Sequence, residues 1–102
     1  MMNPRYFVDP EMLVIYRFHA LKRMFERNIS EEELLNVLNT GVVVEDYPTD
    51  QPYPSRLILG FCKKRALHVV VAEAKDIDQL IVITVYEPDF DHWEPGFKMR
   101  KK

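Results

Sequence analysis

Two side chains with acid and base chemistry occupy corresponding places in neighbouring apolar runs of the chain. His68 interrupts one run and Tyr86 ends the next. If the connecting loop is centred on Ile77, His68 lies directly opposite Tyr86 on one face of a sheet. Such a pair can share the acid and base roles when a ribose hydroxyl attacks its own phosphodiester, a reaction that needs no metal. The alternative is a structural histidine whose hydrogen bonds are satisfied inside the fold.

A second candidate group comes earlier in the chain. His19, Arg23 and Arg27 recur at steps of four, so they form one row if the segment is helical. A histidine beside guanidinium groups that can hold phosphate in a bidentate fork is compatible with a phosphodiester site. The same row is also typical of a solvated helix face. Arg56 and Thr84, on predicted strands, join Arg23 as candidate phosphate-binding residues.

The other reactive residues predict neither a metal site nor an activated thiol. The acids and the histidine between Asp89 and Glu94 do not have the spacing of a metal cage, so we expect no metal and no other cofactor. Cys62 is the only cysteine, which excludes an intramolecular disulfide. It has no histidine nearby in the sequence and no helix start that would activate its thiol.

Length and composition are those of one ordinary globular domain. The chain has 102 residues, of which 47% are hydrophobic and 29% are charged. We expect a single domain over 1–102 that ends in a short basic tail at 95–102. The formal net charge of −2 argues against nucleic-acid binding by bulk charge, although basic residues cluster locally. No apolar run approaches the ~20 residues that span a bilayer, so a cytoplasmic location without a membrane partner is expected.

Two helices are predicted before the strands begin. An Asp-Pro-Glu start, followed by apolar residues at steps of three and four, predicts a first helix over 10–26. The alternative is a short strand at 12–16 and a helix that begins near Phe18. A Ser-x-x-Glu capping box starts a second helix over 31–39, and a glycine in the left-handed conformation ends it. The apolar stripe of the first helix consists of Val14, Phe18, Leu21 and Phe25.

Beyond the second helix the apolar period changes to two or to continuous runs, which predicts strands. The four strands are placed at 42–47, 55–62, 66–73 and 80–86. The order α-α-β-β-β-β predicts an α+β fold in which both helices pack on one face of a four-stranded antiparallel sheet.

The two faces of this sheet differ in composition. The odd-numbered face of the last three strands is expected to form the core with the helices, because its residues are all large and apolar. The even-numbered face, with Gly60 opposite His68, is interpreted as a ligand groove in which the glycine leaves room beside the imidazole. A solvated surface or a homodimer contact is the alternative. The expected core positions are Leu57, Leu59, Phe61, Leu67, Val69, Val71, Ile81, Ile83 and Val85.

Several short motifs occur together in this chain. They are His19-Ala20-x-x-Arg23-Met24-x-Glu26-Arg27-x-Ile29-Ser30, Gly41-x-Val43-x-Glu45-x-Tyr47, Pro54-Ser55, Leu67-His68-Val69-Val70 and Thr84-Val85-Tyr86-x-Pro88-Asp89-x-x-x-Trp93. In this combination the chain resembles the bacterial family described as domain of unknown function 4258, with a family-like core over about 17–94. The resemblance implies a domain similar to the ribonuclease toxins of the RelE type, which are often encoded beside a small zinc-finger protein that resembles an antitoxin.

We therefore expect the toxin of a toxin–antitoxin pair, an endoribonuclease that cleaves messenger RNA without a metal and is silenced by its antitoxin. His68 and Tyr86 would act as acid and base, with His19 as an orienting or second proton-transfer group. Arg23 and Arg56 would hold the scissile phosphate. The alternative, from another class, is a non-catalytic interaction module whose groove or edge strand binds a protein partner.

Overall fold

One strand, two helices and four further strands follow one another along residues 3–6 and 8–102, the part of the chain that the computed structural model describes. A one-turn 3-10 helix, Lys75–Ile77, precedes the last strand. Among the described residues, no helix has the length and apolar character needed to cross a membrane. The elements in chain order are β1 (Leu13–Tyr16), α1 (Phe18–Glu26), α2 (Glu31–Thr40), β2 (Val42–Tyr47), β3 (Ser55–Cys62), β4 (Arg65–Ala74) and β5 (Gln79–Tyr86).

The first element follows the alternative prediction, and the long helix over 10–26 is wrong. Residues 13–16 form β1, and the helix begins only at Phe18. The carboxylate of Asp9 accepts a hydrogen bond from the backbone N–H of Glu11 at 2.9 Å, so the Asp-Pro-Glu signal forms a turn. The β-branched and aromatic side chains of β1 favour a strand, and the edge of β5 gives that strand a pairing partner.

All five strands belong to one sheet, in the order β1-β5-β4-β3-β2. β1 pairs with β5 in parallel, and the other three pairs are antiparallel. The described chain therefore has a five-stranded mixed sheet, where four antiparallel strands were expected. The boundaries of β2 to β5 agree with the sequence prediction to within one residue.

The second helix begins as predicted and ends for a different reason. The Ser30 hydroxyl accepts from the N–H of Glu33, and the Glu33 carboxylate accepts from the N–H of Ser30, each at 3.0 Å. Gly41, which follows α2, has an extended backbone with φ −83°, so the predicted left-handed stop is wrong. Glycine is required here for space, because a Cβ would lie 2.6 Å from the carbonyl oxygen of Val37.

Both helices cover the same side of the sheet, which we call the helix face. α1 buries Ala20 and Met24, and the three buried residues of α2 are Leu34, Val37 and Leu38. We call the other side the far face. The strand residues that form the core with the helices are Ile58, Cys62, Leu67, Val69, Val71, Leu80, Val82 and Val85.

The turn between β3 and β4 is one residue shorter than expected. Cys62 pairs with Arg65, which leaves only Lys63 and Lys64 in the turn. Lys63 has a φ of 57°, the positive value typical of two-residue hairpin turns. A turn that is one residue shorter shifts the register by one residue and moves every side chain of the strand to the other face.

The shift reverses the predicted orientation of β3. Gly60 pairs with Leu67, and Leu59 lies opposite His68. Because paired residues of antiparallel strands share a face, the even-numbered positions of β3 face the helices. The prediction that Gly60 faces His68 is wrong, as is the placement of Leu57, Leu59 and Phe61 in the core beneath the helices.

A bulge changes the faces within β5. Val85 pairs with Val69 on the helix face, but the register then shifts, so that Val71 pairs with Val82. An unbroken ladder would have paired Val71 with Ile83. The bulge therefore brings Val82 into the core, where it is fully buried, and Ile81 lies on the far face. Odd-numbered positions thus form the predicted core throughout β4, but not throughout β5.

We expect Gly60→Ala to destabilise the fold by about 1–3 kcal/mol, the usual cost of overpacking. A Cβ at Gly60 would lie 2.6 Å from Cγ1 and 2.9 Å from the carbonyl oxygen of Val37. The second atom is backbone, so α2 must move away from the sheet. Urea unfolding measures the loss, and an unchanged midpoint would show that α2 moves without cost.

Candidate functional site

His68 and Tyr86 lie opposite each other on the far face, as predicted. They are register partners in β4 and β5. The Nδ1 atom of His68 is 3.2 Å from the Tyr86 hydroxyl, and the two rings meet edge to face with their centroids 5.3 Å apart. The predicted hydrogen bond between the two side chains is confirmed.

His68 is fully buried, with both ring nitrogens in hydrogen bonds. Its Nε2 atom lies 2.9 Å from the carbonyl oxygen of Phe97. Because a carbonyl only accepts, Nε2 carries the proton and Nδ1 accepts from the Tyr86 hydroxyl. Burial lowers the pKa of His68, which favours the neutral ring. His68 therefore orients the Tyr86 hydroxyl from the interior of the protein and does not itself face solvent.

The C-terminal segment, residues 89–102, folds over the far face. The ring of Trp93 is 3% exposed and packs edge-on against His68, with centroids 4.4 Å apart. Trp93 and Arg100 form an antiparallel bridge, and the chain between them turns at Gly96 with a φ of 92°. This segment includes the predicted basic tail, so the tail supplies part of the site.

A carboxylate and a guanidinium meet at the outer end of this site. Arg100 Nε donates to Glu45 Oε2 at 2.9 Å, and Arg100 Nη2 donates to Glu45 Oε1 at 3.1 Å. The Tyr47 hydroxyl also donates to Glu45. Burial acts to raise the pKa of Glu45, but the hydrogen bonds from Arg100 and Tyr47 outweigh it and hold that pKa below its ordinary value. Glu45 is therefore ionised at neutral pH.

Strand pairing places Glu45 on the same face as Tyr86. Glu45 pairs with Leu57, and the row continues across the sheet through Val70 to Thr84. Tyr86 is two residues beyond Thr84 on β5, so both point to the same side. The far face thus carries a carboxylate at one side and a phenol at the other.

The charge of Arg100 acts on the titratable groups of this face. Burial raises the pKa of Tyr86, and Arg100 counteracts this effect. Arg100 also contributes to the lowered pKa of His68, after burial. The guanidinium carbon lies 4.6 Å from the centroid of the Trp93 ring, a cation–π distance that holds the side chain in place. Arg100 is therefore the positive centre of the far face.

Thr84 is the one predicted phosphate-binding residue that shares the far face with His68 and Tyr86. Arg56 lies on the helix face and forms an ion pair with Asp46, in which Nε and Oδ1 are 3.5 Å apart. The reversed register of β3 explains the difference, because Arg56 was placed on the far face only by the three-residue turn.

His19 and Arg23 lie on α1, on the other side of the sheet from His68. His19 is exposed and Arg23 is half-buried. α1 packs on the sheet through Ala20 and Met24, so the whole sheet separates its side chains from the far face. The structure does not bring His19 to the His68–Tyr86 pair.

Glu45, Tyr47 and Arg100 were not among the predicted site residues. The alternation of Glu45 and Tyr47 within β2 was the available signal, since it puts two polar side chains on one face of a strand. Arg100 had no such signal, because its partner lies 55 residues away in the sequence. Within the described part of the chain, no group of three or more His, Cys, Asp and Glu side chains is arranged to hold a metal ion.

Between about pH 7.5 and 5.5, we expect the stability of the wild type to decrease more steeply than that of His68→Gln. This range extends about one unit on either side of the ordinary histidine pKa. An unfolded histidine takes up a proton near its ordinary pKa of 6.5, whereas buried His68 has a lowered pKa. The stability that the neutral ring contributes is therefore present above pH 6.5 and is lost as the pH falls toward the folded pKa. The difference in slope is at most about 1.4 kcal/mol for each pH unit.

Urea unfolding of both proteins at the two pH values measures this difference. The titratable groups other than His68 are the same in both proteins, so the comparison isolates His68. Equal slopes would show that folding does not lower the pKa of His68.

The fold and the site together define a small α+β domain. Its far face carries a carboxylate, a phenol and a guanidinium group. The family model described as domain of unknown function (DUF4258) matches residues 16–87. The match covers well over half of the chain, and the protein belongs to this family. A search of the curated proteins and a search of the solved structures find no match. The similarity to RelE-type toxins stays a prediction.

Proposed function

We propose that the protein is an endoribonuclease that cleaves RNA without a metal, at the far face around Arg100. The observation that carries this proposal is the bidentate contact of Arg100 with the ionised carboxylate of Glu45 on the face that also presents Tyr86. A carboxylate, a guanidinium and a protonated phenol are a base, an anion-binding group and an acid. These are the three functions that cleavage by a ribose hydroxyl requires.

The proposed reaction is attack of the 2′-oxygen on the adjacent phosphorus, with cleavage of the bond to the 5′-oxygen. Glu45 accepts the proton of the 2′-hydroxyl as the new P–O bond forms. Arg100 binds the non-bridging oxygens and stabilises their charge. The Tyr86 hydroxyl, which donates to Nδ1 of His68 before substrate binds, turns its proton toward the departing 5′-oxygen and transfers it. The products are a 2′,3′-cyclic phosphate and a 5′-hydroxyl, and solvent returns a proton from Glu45 to Tyr86.

Arg100 retains the donors and the exposure that this role needs. A guanidinium has five N–H donors, of which Glu45 uses two. The side chain of Arg100 is 56% exposed and that of Glu45 is 25% exposed, so a phosphate can approach both from solvent. His68 is a positioning residue here, because its buried ring holds the Tyr86 hydroxyl.

The family resemblance supports narrower proposals about substrate and partner. The substrate would be messenger RNA, and the protein would be the toxin of a toxin–antitoxin pair that a zinc-finger protein encoded nearby silences. Inducible expression tests the first part through growth and RNA cleavage measured together. A neighbouring open reading frame for a zinc-finger or DNA-binding protein would support the second.

Purified protein incubated with an unstructured RNA oligonucleotide tests the nuclease activity. We expect fragments that end in 2′,3′-cyclic phosphate and 5′-hydroxyl, in equal amounts with and without EDTA. The reaction is repeated with ribosomes, because a toxin of this type can depend on them. If the wild type is inert under all these conditions and its expression does not slow growth, the non-catalytic interaction module replaces the nuclease.

A further inference from the structure

α1 turns an apolar stripe toward solvent. Phe18 is 82% exposed, Phe25 is 90% exposed and Leu21 is 49% exposed. The three residues are separated by three and four positions, so they lie along one side of the helix. The helix packs on the sheet through Ala20 and Met24 instead, so a different side of the helix is buried.

This stripe differs from the other exposed apolar side chains of the described residues. Leu13, Phe61 and Ile77 lie on different elements, while Phe90 and Met99 lie in the C-terminal segment, and scattered exposed apolar residues are normal on a protein surface. A contiguous exposed patch is typical of an interaction site.

Basic side chains border the stripe. Lys22 lies one helical turn after Phe18, and Arg17 and Arg27 are the residues directly before and after the helix; all three are exposed. Over the described residues, none of these three cations is within ion-pair distance of a carboxylate. Their positive charge is therefore available to an acidic partner.

A hollow adjoins the end of the stripe. It has a volume of about 530 Å³, and its lining is half apolar, from Met24, Phe25 and Ile29, and half polar, from Asn28, Ser30 and Glu33. An apolar side chain of a partner can enter it beside the exposed ring of Phe25. The surface thus combines an apolar ridge, an anchoring hollow and a basic border.

We propose that α1 docks a partner protein through an acidic amphipathic helix. The apolar side of that helix packs along Phe18, Leu21 and Phe25, and its carboxylates reach Arg17 and Lys22. A second copy of this chain fits less well, because antiparallel pairing of two α1 helices brings the Lys22 side chains of both copies together. RNA would match the basic border but would set charged phosphates against the apolar stripe.

The docking surface is independent of the proposed nuclease site, because the sheet lies between α1 and the pair formed by Glu45 and Arg100. Binding is therefore measured without any cleavage assay. The probe is a designed helical peptide of about 20 residues, long enough to form a helix in water, with leucines along one side and glutamates elsewhere. A matched peptide carries lysine in place of every glutamate.

We expect the acidic peptide to bind the wild-type protein at least about tenfold more tightly than the lysine peptide, as measured by fluorescence anisotropy. The Phe18→Ser/Phe25→Ser double variant weakens binding at least about tenfold, as expected for interface anchors. Phe61→Ser is the matched control, because Phe61 is 53% exposed on the far face. It leaves the affinity unchanged.

Lys22→Glu gives a second test with little risk to the fold. Because Lys22 is exposed, we expect an unchanged urea midpoint together with at least about tenfold weaker binding of the acidic peptide. Equal binding of both peptides, or undiminished binding to the double variant, overturns the proposal. A wild-type dimer that dissociates in the double variant identifies a second copy as the occupant and also overturns it. So does an RNA oligonucleotide that displaces the peptide and binds the double variant less tightly.

Discussion

Glu45→Gln lowers the rate of RNA cleavage at least about 100-fold, the usual contribution of a positioned proton-transfer group. The amide has the shape of the carboxylate but cannot accept the proton of the 2′-hydroxyl. The fold remains intact, because the side chain of Glu45 lies at the edge of the site and is 25% exposed. Single-turnover cleavage of an RNA oligonucleotide at saturating enzyme measures the rate of the chemical step.

Glu32→Gln is the matched control, since Glu32 is exposed on α2, across the sheet from the far face. The pH profile gives a second signature of the wild type. Activity is lost on acidification only below the ordinary carboxyl range, because the pKa of Glu45 is lowered. At high pH it persists beyond the ordinary tyrosine range, because the pKa of Tyr86 is raised. Unchanged cleavage by Glu45→Gln would remove this carboxylate from the reaction.

Trp93→Ala destabilises the protein by about 3–5 kcal/mol, the range for deleting a buried aromatic side chain. The ring is 3% exposed and packs between His68 and Arg100, so its loss opens a cavity over the site. A domain of this size has a free energy of unfolding of about 5–15 kcal/mol, so the variant retains only part of the stability of the wild type. Urea unfolding followed by circular dichroism measures the loss.

Met99→Ala is the control, because Met99 lies in the same segment but is 66% exposed. Its effect stays within about 0.5 kcal/mol, as for most surface substitutions. A Trp93→Ala protein with the midpoint of the wild type would show that the C-terminal segment unfolds separately from the sheet. The arrangement of Arg100 and Glu45 would then not be held by the fold.

Local signals were sufficient for most of the secondary structure. The capping box at Ser30 specified the start of α2, because two reciprocal hydrogen bonds form within four residues. The period of two specified the strands after Gly41. The Asp-Pro-Glu sequence was ambiguous, because the same aspartate can cap a helix or close a turn. The β-branched and aromatic residues at 12–16 offered a strand only as an alternative, because the parallel partner that stabilises β1 lies more than 60 residues away.

Register could be predicted only where the connection between two strands was read correctly. The pairing of His68 with Tyr86 followed from the predicted centre of the loop between β4 and β5. The reversed face of β3 came from Lys63, whose positive φ of 57° makes the turn one residue shorter. Lysine is not a residue type that indicates this conformation, so the sequence carried no signal for it.

The sequence by itself determined the helices after Phe18, the strands from β2 onward, and the opposition of His68 and Tyr86. These depend on hydrogen bonds and hydrophobic periodicity among residues that are near one another in the chain. Only the tertiary structure decided that α1 exposes its stripe of Phe18 and Phe25, because periodicity identifies a side of a helix but not which side is buried. It alone also brought Arg100 to Glu45. That contact depends on how the C-terminal segment folds over the completed sheet, and no local sequence pattern predicts this.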